Sequence, residues 1–101
     1  TTLFRSVIKW VRAFSKDKYL AAVCAAPSIL AKYELMNKAT VHPDYKDAMN
    51  KVEVLSQFVV VDGHVITGQG LGATIPFALE LVKILVGEEK KLQLARDICY
   101  R

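Results

Sequence analysis

Apolar residues at Leu3, Phe4, Val7, Ile8, Val11 and Phe14 recur at helical spacing, with Arg5, Lys9 and Arg12 between them. That period predicts an amphipathic helix over 3–15 with the three cations on its wet face. Ser-Lys-Asp-Lys (15–18) reads as a polar turn. Tyr19–Val23 is a short unbroken apolar run, the pattern of a strand buried on both faces. Over 25–36 the period returns to that of a helix, with Ile29, Leu30, Tyr33 and Met36 on one stripe. Pro27 falls in its first turn, where the missing N–H costs little, and Asn37 is placed as its C-cap.

Ala39–Val41 reads as a short strand, and Pro43 biases His42 toward extended geometry. Residues 44–50 read as a turn or a single helical turn, and Val52–Val54 as a brief strand. In "FVVVDGHVIT" two β-branched runs flank Asp62-Gly63, which predicts a hairpin. "GQGLGAT" (68–74) leads into a helix over 75–86 with Ile75, Ala78, Leu79, Val82, Leu85 and Val86 on its inner face and Gly87 at its end. A more charged helix over 88–99 turns Leu92, Ala95 and Ile98 inward. Helices alternating with buried strands predict a three-layer α/β arrangement. The strands are few for a self-sufficient parallel sheet, and the chain opens on a helix with no methionine before it. We therefore expect residues 1–101 to be the C-terminal segment of a single domain.

Composition narrows the function classes. In 101 residues, 52% are hydrophobic and 24% charged, which is globular rather than disordered. The net charge of +4 comes from 14 basic and 10 acidic residues that are scattered and form no block, so a nucleic-acid partner is not expected. No apolar run is long enough to span a membrane, and a signal peptide is not expected. Cys24 and Cys99 are too few and too far apart for a disulfide framework, which points to a reducing, cytoplasmic setting. With His42 and His64 they show no zinc spacing. Asp44, Asp47, Asp62 and Glu80 show no pairing.

Cys24 is the main chemical candidate. A strand turning straight into a helix sets its junction residue at the strand's carboxyl end, where α/β proteins place their sites. The nearby helix N-terminus favours a thiolate and can hold an oxyanion. The small Ala25 and Ala26 leave room for the turn and for a substrate. An inert core thiol remains the competing reading. His42 is a possible base beside the thiol, or a turn histidine, and His64 is expected to be exposed. Gly68, Gly70 and Gly72 resemble half of a phosphate loop, but no Walker pattern follows; a tight backbone crossing fits them better.

"LAAVCAAPSILAK", "ATVHPDYKD", "VVVDGHVITGQGLG" and "FALELVKILVGEEK" together resemble the second half of the ThiJ/PfpI family, in the branch of the parkinsonism-associated deglycase. The resemblance implies a flavodoxin-like α/β/α sandwich, usually a homodimer, with Cys24 as the oxidisable cysteine of a nucleophile elbow. It makes the N–H of Ala25 an oxyanion donor and His42 an assisting or pocket histidine, with Ala26, Pro27, Gly70 and Leu71 at the pocket rim. It implies a glyoxalase- or deglycase-like enzyme for small 2-oxoaldehydes with no cofactor and no metal. The alternative is a redox sensor or stress chaperone that uses the same thiol. The protease branch has histidine after the cysteine; Ala25 stands there, so peptidase activity is not expected. The family's glutamate beside the thiol, and its second oxyanion donor, belong to the first half of the fold. An N-terminal segment carrying that glutamate is the partner implied. Leu71 and Ala73 replace the family's usual proline and threonine, and the segment before "ATVHP" is short and lacks its usual glycine.

Overall fold

Val65–Gly68, a strand buried at all four positions, lies between two partners: Leu20–Val23 runs parallel to it and Val59–Asp62 antiparallel. The structure is a computed structural model and describes residues 2–14 and 17–101. In chain order the elements are α1 (Thr2–Phe14), β1 (Leu20–Val23), α2 (Pro27–Lys32), β2 (Lys38–Ala39), a 3-10 turn (Pro43–Ala48), β3 (Glu53–Val54), β4 (Val59–Asp62), β5 (Val65–Gly68), a second 3-10 turn (Leu71–Ala73), α3 (Thr74–Val86) and α4 (Glu88–Asp97). The main sheet has the order β1-β5-β4, and β2 and β3 form a separate parallel pair.

Strand alternation assigns the layers. Ala22 and Val65 join Leu30, Ala31, Met36, Ala39, Val41 and Met49 in the buried cluster around α2. Gly68, one step out of phase with Thr67, faces the other way, toward Phe77 of α3. Helices therefore cover both faces of the sheet, as the alternating pattern predicts. None of the helices among the described residues is long and apolar enough to cross a membrane.

Several expectations need correction. β1 is buried on one face only: Ala22 is buried, while Ala21 and Val23 are exposed. It is an edge strand, and α3 packs over β4 and β5 instead. The helix expected over 25–36 is short. It begins at Pro27 and ends at Lys32 because Glu34 turns left-handed at φ 57°. The Glu34 and Leu35 N–H groups then donate to Ala31 and Leu30 carbonyls (3.0 and 3.3 Å), a Schellman ending. Tyr33, not Asn37, is the C-cap. α4 closes the same way: Cys99 stands at φ 58°, and the Cys99 and Tyr100 N–H groups donate to Arg96 and Ala95 carbonyls. The strand expected at Ala39–Val41 is Lys38–Ala39, although Thr40 and Val41 are also buried.

On α3 only Leu79 of the expected inner face is buried; Leu85 and Val86 are exposed. On α4, Leu92 and Ile98 are exposed as well. On α1 Ile8 is buried, Val11 and Phe14 are half-buried and Val7 is exposed. The side chains of Leu3 and Phe4 lie outside the described residues, as do Ser15 and Lys16 of the expected turn. Arg12, assigned to the wet face, lies over the Tyr33 ring at 4.7 Å and ties α1 to the end of α2.

The predicted hairpin forms, with its turn one residue later than Asp62-Gly63. Gly63 and His64 are the two turn residues, Gly63 taking φ 61°, and Asp62 and Val65 form the last rung. His64 is exposed and stacks on Tyr19 with 5.4 Å between ring centroids. Asp62 does more than turn the chain. Its Oδ2 accepts the N–H groups of Asn37 (2.6 Å) and Lys38 (3.0 Å), clamping the start of β2 to the hairpin. These bonds, Asn37's first, hold the Asp62 carboxyl below its ordinary value of 3.8. The clamp therefore contributes its full stability above that ordinary value and loses it as pH falls through the lower folded-state value. Acid denaturation followed by circular dichroism should show a shallower loss below pH ~4 for Asp62→Ala than for the wild type. Equal acid slopes would remove the clamp from the account.

Candidate active site

Cys24 sits where β1 ends. Its N–H donates to the Gly68 carbonyl at 3.1 Å, one step past the last rung of the β1–β5 ladder, and its carbonyl accepts the N–H of His42 at 2.9 Å. The Ala26 N–H reaches back to the Val23 carbonyl at 3.2 Å, and α2 starts at Pro27. Turning from strand to helix in so few residues forces Cys24 to φ 67°, a left-handed conformation that a non-glycine residue adopts at a cost of about 1–2 kcal/mol. The thiol is exposed. Its surroundings are those of a presented side chain and not of a packed core residue.

The turn also orients backbone donors. Ser28 donates through both Oγ (2.7 Å) and N–H (3.1 Å) to the Ala25 carbonyl, which fixes the turn ahead of α2. The Ala25 N–H has no partner among the described residues. It is a free donor one peptide from the thiol.

His42 is held by β2's continuation on one side and by Pro43 on the other. Its Nδ1 accepts the Asp44 N–H at 3.1 Å, and the Asp44 carboxylate lies 3.8 Å from the same nitrogen. Tyr45 meets the ring edge-on. Cys24 and His42 open onto one cleft of ≈ 500 Å³, shared with Pro43, Phe58, Gln69, Gly70, Leu71, Gly72 and Ala73. Among the described residues no Asp, Glu, Lys or Arg side chain lines it. Among the described residues no three His, Cys, Asp or Glu side chains come together as a metal site.

The expected rim is half there. Gly70 and Leu71 line the cleft, and Leu71 stands almost fully exposed. Ala26 and Pro27 do not. Pro27 is fully buried in the first turn of α2, and Ala26 faces an apolar hollow between α1, β1 and α2. Phe58, Pro43 and Gln69 take their place. Phe58 reads in the sequence as the start of a strand, but it precedes β4 and is exposed. The three glycines divide in role. Gly68 is a tight crossing: a Cβ there would lie 2.8 Å from Phe77 Cδ1 and 3.1 Å from Val23 Cγ2. Gly70 is extended, and a Cβ there would only touch His42 Cδ2, at 3.7 Å; Gly72 faces open space.

Comparison with known proteins places this arrangement. The family model described as DJ-1/PfpI matches residues 2–84. The Drosophila melanogaster protein DJ-1alpha is 38% identical over 90 residues, covering 85% of this chain and 42% of its own. The Danio rerio homolog of Parkinson disease protein 7 is 36% identical over 80 residues, covering 74% of this chain and 42% of its own. The crystal structure of Drosophila melanogaster DJ-1beta superposes with a TM-score of 0.83 at 33% identity, covering 92% of this chain and 53% of that one. The chain thus spans about half the length of the relatives it matches.

Proposed function

The chain belongs to the DJ-1/PfpI family, and from that premise we propose that Cys24 is the nucleophile of a cofactor-free, glyoxalase- or deglycase-like reaction on small 2-oxoaldehydes or their protein adducts. The observation that carries this reading is the elbow: a left-handed, solvent-facing cysteine followed by an N–H that has no partner among the described residues. With methylglyoxal, the Cys24 thiolate forms a bond to the aldehyde carbon. The carbonyl π pair becomes an alkoxide held by the Ala25 N–H, and protonation gives the hemithioacetal. A base removes the C1 proton to give an enediol, and a proton returned at C2 leaves the thioester of the 2-hydroxy acid. Water cleaves that thioester, releasing the acid and restoring the thiol. The sum is addition of one water, with no external oxidant or reductant.

We assign the base to a glutamate on an N-terminal segment that completes the domain. Two observations support such a segment. β1 pairs only with β5, so its outer edge has no strand beside it among the described residues. Next to that edge is the apolar hollow lined by Val7, Val11, Leu20, Ala21 and Ile29. We assign the completed domain to a homodimer on the family resemblance.

The test is formation of the 2-hydroxy acid from methylglyoxal by the intact protein and by Cys24→Ala. Turnover that survives the substitution overturns the reading. The exposed thiol beside a free N–H also suits a second role, oxidation to a sulfinic acid in a redox sensor or stress chaperone. Peroxide oxidation confined to Cys24 by mass spectrometry, in protein that does not turn over methylglyoxal, favours that role.

A further inference from the structure

We infer that His42 serves the Cys24 cleft as a hydrogen-bond donor through Nε2–H, and that it is not the base that moves substrate protons. The assignment of a role in turnover rests on the reading of Cys24 given above; the protonation state does not.

His42 occupies the N-cap of the 3-10 turn that Pro43 opens, with φ −57° and ψ 134°. At such a position the side chain accepts an N–H from two residues on, a task done elsewhere by the oxygen of Ser, Thr, Asp or Asn. Here the acceptor is Nδ1, 3.1 Å from the Asp44 nitrogen. A neutral imidazole has one donor nitrogen and one acceptor. Nδ1 accepts, so the proton is on Nε2. The backbone of the turn therefore fixes the tautomer, much as a second hydrogen bond does for a metal-bound histidine.

The other side of the ring meets the cleft. A Cβ built on Gly70 would meet His42 Cδ2, the atom bonded to Nε2, at 3.7 Å, so the Cδ2–Nε2 edge of the ring is the one turned toward Gly70, which lines the cleft together with Cys24 and His42. The heteroatom on that edge is Nε2, which carries the proton once Nδ1 accepts. The ring's lone pair is on the far side, engaged by Asp44. Taking up a proton would have to occur at Nδ1, away from the cleft, and would break the N-cap bond. A donor in that place can hold the oxygen of a bound carbonyl compound as charge develops on it. With no carboxylate lining the cleft among the described residues, proton abstraction falls to a group outside them.

Two measurements on the intact protein test this. Long-range proton–nitrogen correlation spectra recorded above the imidazole titration should show His42 with Nε2 protonated and Nδ1 bare; the reverse tautomer overturns the assignment whatever the protein catalyses. For turnover, His42→Asn keeps a side-chain acceptor for the Asp44 N–H but has nothing at the Nε2 position, whereas His42→Gln can place an amide N–H there. We expect His42→Asn to keep the wild-type unfolding midpoint while kcat for methylglyoxal falls about 100-fold with little change in KM. His42→Gln should recover part of that loss. Wild-type kcat in His42→Asn would reduce His42 to a cap, and no recovery in His42→Gln would take the donor role away from Nε2–H. A wild-type protein that never turns over methylglyoxal defeats the glyoxalase reading instead, and leaves the tautomer measurement to judge the donor.

Discussion

Replacing Cys24 by glycine should make the protein more stable and chemically silent. The residue stands at φ 67°, where an L-residue is penalised by about 1–2 kcal/mol and glycine is not. Glycine's greater freedom in the unfolded chain offsets about 0.5–1 kcal/mol of that relief. The thiol is exposed, so little packing is lost with it. The net expectation is a gain of about 0.5–1 kcal/mol in denaturant unfolding. Turnover of methylglyoxal should fall by at least about 1,000-fold, as for loss of any covalent nucleophile. Cys24→Ala separates the two effects, since it keeps the strained backbone and loses the sulfur. If the glycine variant is less stable than the alanine variant by about 0.5–1 kcal/mol, the cost of glycine's freedom alone, no strain is stored at the elbow.

Gly68→Ala should do the reverse and damage both fold and site. A single methyl there would lie 2.8 Å from Phe77 Cδ1, 3.1 Å from Phe77 Cγ and 3.1 Å from Val23 Cγ2. The first distance is too short for any real contact, so the Phe77 ring, the Val23 side chain or the strand must move. Overpacking of this kind costs about 1–3 kcal/mol. The strand is the costlier part to move, because the Gly68 carbonyl receives the Cys24 N–H. A fall in kcat should therefore accompany the loss of stability. Phe77→Leu removes the ring atoms that the methyl meets, so the double variant should recover part of both losses, an interaction that a double-mutant cycle measures. Additive losses would show that the crowding lies elsewhere.

The elbow was legible in the sequence because its signals are local. An apolar run, a cysteine, two alanines and a proline at the first helical position specify strand, turn and helix within a few residues. The hairpin was legible for the same reason. What escaped is of three kinds. The ends of α2 and α4 are left-handed at Glu34 and Cys99, and a reading that looks for glycine at a helix end passes both by. The inner face of α3 could not be chosen by periodicity, since "TIPFALELVKILV" is apolar on nearly every side. The Asp62 clamp joins residues far apart in the chain, and no spacing rule reports it. At the site the same division holds. Cys24, His42, Gly70 and Leu71 line the cleft, while Phe58 and Gln69 reach it from the two arms of the hairpin, which only the folded register brings together.

The bond from the Cys24 N–H to the Gly68 carbonyl has a consequence for the order of events in folding. β1 and β5 are parallel and distant in sequence, so their pairing must wait for closure of a long loop, whereas the β4–β5 hairpin can form early and locally. Until β5 is in place, the bond from the Cys24 N–H to the Gly68 carbonyl is missing, and only the His42 N–H on its carbonyl and the turn into α2 remain to hold the left-handed angle. On a ribosome the cysteine emerges well before Gly68 does. The emerging chain therefore carries an elbow that lacks its anchor to β5, and the fully bonded elbow exists only after the hairpin has docked.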